Sequence, residues 1–313
     1  MNPGPVDRGR PVRVSAVRPV SDGVVEVLLA AADGGRLPRW TPGAHVDLVL
    51  PTGLARPYSL AGDPADDRVW RLLVGRSADP DGASAHVHGL LHAGDLVHVR
   101  GPRSLFALGG GSRFLFLGSG TGIAPLLPMA RWVRAARVHP WALVHLDRST
   151  RQRALRAEVE GMGAEARSVP DRSGVLTALH SASPGTAVYA CGSSRFVDAV
   201  AEAAPPHVAL HRQRFDAPAG ADGVDRPYEL VLAKRGERVR VEQGTSLLDA
   251  LHQAGAEIPV SCGAGICGAC IVRVVEGSVH HRDSILTDSQ RTSSQQIVTC
   301  VSTAAGGRLV LDV

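Results

Sequence analysis

The chain has 313 residues, 44% hydrophobic and 20% charged, which suits two or three globular domains and excludes wholesale disorder. Its 34 Lys+Arg against 30 Asp+Glu leave a net charge of +4, but the cations are scattered and aromatics make up only 4%, which argues against a nucleic-acid binder. No apolar run reaches the roughly 18 residues of a membrane helix, and the polar, Pro/Gly-rich N-terminus lacks the apolar core of a signal peptide, so a cytoplasmic protein is expected.

Residues 1–10 read as a frayed tail. From Val12 to Arg100, short alternating apolar runs predict strands at 24–29, 45–50, 70–74 and 96–99. That spacing predicts an antiparallel β-barrel, interrupted by one helical insertion at 83–91. The barrel segment carries Arg56-Pro57-Tyr58-Ser59-Leu60: a cation, a flat amphipathic ring and a small hydroxyl donor in one short run. Alone, this run better suits a solvent-facing strand with an ordinary tyrosine; its place upstream of a glycine turn reverses that. Val74-Gly75-Arg76 and Gly82-Ala83-Ser84 follow, and 102–108 (PRSLFAL) closes the segment.

The rhythm changes at Arg113. An apolar strand at 114–117 runs into Gly118, Gly120 and Gly122, then into a helix-period stretch at 123–136. Next come a strand at 141–146, a helix at 151–160, a strand at 187–191 and a helix at 194–203. This alternation implies a parallel α/β sheet. Glycines between a strand and a helix let a dinucleotide pyrophosphate approach the backbone, and the helix N-terminus favours its charge. The spacing here is GxGxG, with Ile123 where a third glycine of the usual fingerprint might stand. After the 141–146 strand, Asp147 would favour the free ribose of NADH, whereas Arg148 and Arg151 would favour a 2′-phosphate; the sequence supports both. Cys191-Gly192 ends a later strand, where open parallel sheets bind ligands, although a buried free cysteine is also an ordinary small hydrophobe. His211–Phe215 (HRQRF) ends the segment.

Residues 216–226 (DAPAGADGVDR) read as a linker. Beyond it, strands are expected at 229–233 and 239–241, and a helix at 246–254 with Thr245 as N-cap. Four of the five cysteines then appear as Cys262-x4-Cys267-x2-Cys270, with Cys300 thirty positions on. This is the plant-type [2Fe–2S] spacing, in which a curled loop supplies three thiolates and a distant segment the fourth. Gly263, Gly265 and Gly268 permit the curl. A zinc site would more often show paired short spacings. His86, His88, His92, His280 and His281 have no accompanying second ligand pair and are expected to be solvated.

The C-terminal module resembles plant-type ferredoxins, and the resemblance implies a β-grasp fold with Cys262, Cys267, Cys270 and Cys300 as cluster ligands. Residues 12–313 as a whole resemble the phthalate dioxygenase reductase and vanillate demethylase reductase family, within the ferredoxin–NADP reductase superfamily. This implies an FMN-binding β-barrel at 11–108, an NAD(P)H-binding α/β domain at 112–215, a linker at 216–226 and a [2Fe–2S] ferredoxin domain at 227–313. The resemblance places Arg56 at the flavin phosphate, Tyr58 on the isoalloxazine and Ser59 near the reactive nitrogen, with Pro57 and Leu60 in the same motif. It makes Val74, Gly75, Arg76, Gly82, Ala83 and Ser84 a second phosphate-cradling segment. Gly118, Gly120, Thr121, Gly122 and Pro125 then border the nicotinamide nucleotide, and Cys191 and Gly192 flank the hydride-transfer position. Phe215 is placed against the flavin, with Gln213 where the family usually has an acidic residue.

The implied activity is electron transfer from NADH (or NADPH) through FMN and the cluster to a terminal oxygenase, of the Rieske type or a cytochrome P450. The flavin is needed because nicotinamide delivers electron pairs and the cluster takes single electrons. Ser59, Cys191 and Phe215 are the candidates nearest the chemistry, and a monomer is expected. The alternatives are a redox-sensing or structural flavoprotein without turnover, and an NADPH-preferring reductase serving a cytochrome P450.

Overall fold

The computed structural model describes residues 9–77, 79–151, 153–216 and 226–313, with the backbone alone at Asp288. Most of the expected tail and linker therefore lies outside the described residues. The chain folds into two compact units, one extending to Arg212 and one from Gln213 to Val313.

The first unit contains two sheets. One is antiparallel, built from β1 (Arg10–Ser21), β2 (Val24–Ala31), β3 (Ala44–Val49), β4 (Ala55–Ser59), β5 (Val69–Gly75) and, after the short helix α1 (Ala83–Gly89), β6 (Leu96–Ser104). Their order is β4-β3-β6-β1-β2-β5, and a bridge between Leu60 and Leu72 joins the two outer strands into the expected barrel. Alternate residues fill it: Val12 and Val14 of β1, Val27 and Leu29 of β2, and Trp70, Leu72 and Val74 of β5 are all fully buried. This is the period-2 pattern read in the sequence.

The other sheet comprises β7 (Arg113–Ser119), β8 (Trp141–Leu146), β9 (Ala166–Val169), β10 (Thr186–Gly192) and β11 (Ala209–Arg214), in the order β11-β10-β7-β8-β9. It runs parallel through β10, β7, β8 and β9, with β11 at its edge beside β10. Helices α2 (Leu126–Ala136), α3 (Ala154–Glu160), α4 (Arg172–His180) and α5 (Ser194–Ala203) connect the strands. The chain enters at β7, builds outward through β8 and β9, then crosses back to β10 on the other side. The order therefore reverses between β7 and β10. The glycine turn forms a 3-10 turn at Gly120–Ile123 before α2, so the expected continuous helix from 123 begins later.

The second unit is a mixed sheet in the order β13-β12-β18-β14-β16, with β12 (Tyr228–Leu232) parallel to β18 (Arg308–Leu311). Strands β13 (Glu237–Val241), β14 (Ile271–Glu276) and β16 (Gln296–Val298) complete it. Helix α6 (Leu247–Gln253) packs Leu247, Ala250 and Leu251 on the sheet core, giving the expected β-grasp arrangement. Its N-cap is Ser246, whose hydroxyl accepts from the Asp249 N–H at 3.0 Å, rather than Thr245. The short pair β15 (Val279–His280) and β17 (Thr303–Ala304) and helix α7 (Asp288–Ser293) flank the sheet. No helix among the described residues is long and apolar enough to cross a membrane.

Candidate active site and cluster loop

The sheet order places a crevice at the carboxyl ends of β7 and β10, where an open parallel sheet binds its ligand. Both sequence motifs converge there. A Cβ on Gly122 would lie 2.1 Å from the Cys191 carbonyl oxygen and 2.7 Å from the Gly192 Cα, so only glycine lets the two strand ends close this tightly. Cys191 is fully buried, and burial pushes its thiol well up, keeping it protonated. Its carbonyl meets the glycine turn.

Behind that turn lies a group that sequence reasoning misses. His145 of β8 is 1% exposed and its Nε2 pairs with the Gly120 carbonyl at 3.0 Å. Burial lowers its pKa, partly opposed by that bond, so the imidazole is neutral and Nε2–H donates. In the sequence His145 is one polar letter in an apolar strand and carries no motif.

The barrel reaches the same end of the sheet through β5. A Cβ on Gly75 would sit 3.1 Å from the Thr121 methyl, which puts the end of β5 on the glycine turn. On β4, Ser59 is buried, while Arg56 and Tyr58 are half-buried. Desolvation, eased slightly by Arg56, pushes the Tyr58 hydroxyl up to about 12, so it stays protonated. Arg56 donates to the Ala55 carbonyl at 2.9 Å and forms no ion pair with a carboxylate among the described residues. A half-buried guanidinium of this kind suits a phosphate. Ser84 accepts from the Ser77 N–H at 3.0 Å and pairs with its hydroxyl at 2.6 Å, tying Ser77, just past β5, to the first turn of α1. These residues fit a flavin phosphate and ring.

His88, expected in solvent, instead pairs through Nε2 with the Val74 carbonyl at 3.0 Å and is half-buried. Phe215 follows β11 at the head of the second unit. Asp147 is 4% exposed, with its carboxylate accepting from the Ser149 N–H at 2.9 Å and hydroxyl at 2.5 Å, and from Arg156 Nε at 3.3 Å. Burial would raise its pKa, but these bonds hold it below the ordinary value. Arg148, Thr150 and Arg151 remain exposed beside it.

In the second unit the cysteines come together as expected. Cys267 and Cys270 are buried, and Cys262 and Cys300 half-buried. Cys262 neighbours both Cys267 and Cys300, and Cys300 also neighbours Cys270. Among the described residues no three His, Cys, Asp or Glu gather round a point for a single ion; the sulfurs are linked pairwise. The Ala264 N–H points at Cys262 Sγ at 3.3 Å. Gly265, at φ +70°, leaves no room for a Cβ, which would lie 2.6 Å from Val301 and 3.1 Å from the Asp283 Cα. The Thr299 N–H and hydroxyl both donate to the Cys270 carbonyl, at 3.2 and 3.0 Å, tying the segment that carries Cys300 to the loop. Four converging thiols with an N–H aimed at sulfur fit a two-iron cluster. His281, also expected in solvent, is half-buried, with its ring 3.5 Å from the Asp283 carboxylate.

The family of 2Fe-2S iron–sulfur cluster binding domains matches residues 231–305, which decides between the iron–sulfur and zinc alternatives. Over 316 aligned residues the chain is 35% identical to the vanillate O-demethylase oxidoreductase of a Pseudomonas species, covering 96% of this chain and 99% of the relative. The chain belongs to the phthalate dioxygenase and vanillate demethylase reductase family. As such it is an oxygenase reductase component, passing electrons from NAD(P)H through a flavin and a [2Fe–2S] centre. The solved phthalate dioxygenase reductase superposes with a TM-score of 0.67 at 26% identity, covering 97% of both chains, and shares the three-domain architecture. An intact type IV self-sufficient cytochrome P450 monooxygenase gives a TM-score of 0.86 at 31% identity; 97% of this reductase is covered but only 41% of that longer chain.

Proposed function

We propose that this reductase uses FMN as its flavin and NADH as its preferred donor, and that it serves a terminal oxygenase of the Rieske or cytochrome P450 type, as a cytoplasmic monomer. The observation that carries the donor half is the crevice between β7 and β10, where Gly122 lies under the Cys191 carbonyl and β5 touches Thr121. It supports a site in which Gly118, Gly120, Thr121, Gly122 and Pro125 seat the pyrophosphate and Cys191 and Gly192 wall the nicotinamide.

On the barrel side, Arg56 would hold the flavin phosphate, with Val74, Gly75, Arg76, Gly82, Ala83 and Ser84 as its second cradle. Tyr58 would cover the ring, with Pro57 and Leu60 fixing its strand, and Ser59 would offer a hydroxyl. Phe215 is the proposed second aromatic at the flavin. Cys262, Cys267, Cys270 and Cys300 would hold the cluster. When bound, the flavin supplies the conversion of an electron pair into single electrons. The chain's own residues bind, orient and exclude water.

Anaerobic stopped-flow mixing tests this reading. NADH should bleach the flavin absorbance, in protein carrying about two irons and one FMN per chain. Stoichiometric FAD in place of FMN, or no bleaching by either nicotinamide, would contradict it.

A further inference from the structure

The loop after the second strand of a nucleotide-binding sheet meets the adenosine ribose, and its charge decides between a free 2′-hydroxyl and a 2′-phosphate. By sequence, Asp147 and its neighbouring arginines give opposite answers. The structure removes Asp147 from the choice, because its carboxylate is buried and spent on Ser149 and Arg156. What the loop exposes is Arg148, Thr150 and Arg151, a set that by itself would welcome a 2′-phosphate.

A carboxylate from the barrel reaches that set. Asp22 lies in the turn between β1 and β2, 128 positions from Thr150 in the chain. Its Oδ2 accepts from the Thr150 N–H at 2.7 Å, the Thr150 hydroxyl at 3.2 Å and the Arg151 N–H at 3.1 Å. The preceding residue adds a hydrogen bond between the Ser21 and Ser149 hydroxyls. Two successive backbone N–H groups and a hydroxyl beside arginines are the donors a phosphate oxygen would use. Here one carboxylate oxygen already takes all three, and its charge faces any anion that approaches.

We propose that Asp22 is a specificity-determining residue: its carboxylate occupies the anion-accepting donors of the 149–151 loop and turns away the 2′-phosphate of NADPH, so that the reductase selects NADH. The inference rests on the nicotinamide reading of the β7–β10 crevice and gives that site its donor preference.

The test compares the flavin- and cluster-loaded parent with Asp22→Ala and Asp22→Asn. Affinity for 2′,5′-ADP and for 5′-ADP is measured by calorimetry, and kcat/KM for NADPH and NADH by steady-state kinetics. In Asp22→Ala, the preference for 2′,5′-ADP over 5′-ADP and the NADPH:NADH ratio should each rise by about tenfold or more, because a like charge is removed and three donors are released. Asp22→Asn should fall between parent and Ala: its amide oxygen still accepts from the N–H groups, but the charge is gone. As the isosteric change, it also guards against a folding defect in the alanine variant. Unchanged nucleotide preference in both measurements would overturn the assignment. Calorimetry needs no hydride transfer, so failure of the reductase reading shows separately, as a parent protein whose flavin neither nicotinamide bleaches.

Discussion

Gly122 sets the tolerance of the crevice between β7 and β10. The atoms a Cβ would strike are backbone, the Cys191 carbonyl and the Gly192 Cα, so no side-chain rotation relieves the clash. Gly122→Ala should lower the rate of flavin reduction by NADH about 100-fold, the scale of a misplacement near 1 Å, while leaving the cluster's visible absorption intact. A rate within about threefold of the parent would contradict this. His145 acts on the same turn from behind. Burial lowers the pKa of His145, and also of His88 and His211. The unfolded chain therefore binds these protons more readily, and stability rises with pH as the unfolded imidazoles lose them near 6.5. Above that pH the penalty vanishes; below it the penalty grows. Asp147 and Glu158, with lowered pKa values, keep their contribution until far more acidic pH. The Tm of the reductase should therefore fall between pH 8 and pH 5.5, and His145→Gln should flatten that fall. An identical slope in the variant would contradict the role of burial at this histidine. Only part of this is legible in the sequence. Gly122 and Cys191 announce themselves by motif, but their mutual contact depends on strand order, and His145 has no local signature at all.

Strand β5 links the two sheets of the first unit. At its end Gly75 meets Thr121; four residues earlier Arg71 forms an ion-pair network. Arg71 Nε donates to Glu26 of β2 at 2.7 Å, and its two terminal nitrogens donate to the two Glu158 oxygens of α3, each at 2.7 Å. Arg131 of α2 adds a bond to Glu158 and one to the Ala61 carbonyl at 3.2 Å. Burial alone would raise the Glu158 carboxyl, but Arg71 and Arg131 hold it below its ordinary value. Since Glu158 is 23% exposed, its loss should cost less than at a fully buried pair: Glu158→Gln is expected to destabilise this unit by about 2–3 kcal/mol in denaturant unfolding. A change below about 0.5 kcal/mol would show that the bidentate pair is solvent-screened. At this scale the sequence is informative where period is strong. The strand at 141–146 and the helix at 194–203 are legible to the residue and β2, β3 and β5 to within two, whereas β1 and β4 are not delimited in the sequence and β6 runs five residues past the expected 96–99. β9 and α4 escape notice because β9 spans only four residues and α4 carries a glycine in its first turn; Asp171 nonetheless caps α4 by accepting from the Gly174 N–H at 3.3 Å. Long-range pairs such as Arg71–Glu158 and Asp22–Thr150 join residues 87 and 128 positions apart, so no local pattern could mark them.

Over the whole molecule, the order flavin barrel, nucleotide sheet, ferredoxin is legible because each module carries its own motif and its own periodicity. The cysteine spacing is the strongest such signal, since the ligands of a two-iron cluster are fixed by chemistry rather than by packing. If the modules have separate tasks, Cys300→Ser should abolish reduction of the one-electron acceptor cytochrome c while NADH still bleaches the flavin. Equal loss of both would mean that the tasks are misassigned. The central claim is that one polypeptide takes an electron pair from a nicotinamide and delivers single electrons from iron. An anaerobic NADH titration of the flavin- and cluster-loaded protein, followed by visible absorption and by electron paramagnetic resonance, tests it most directly. Flavin bleaching accompanied by the resonance of a reduced [2Fe–2S] cluster is the expected result; a bleached flavin beside a cluster that stays oxidised would contradict it.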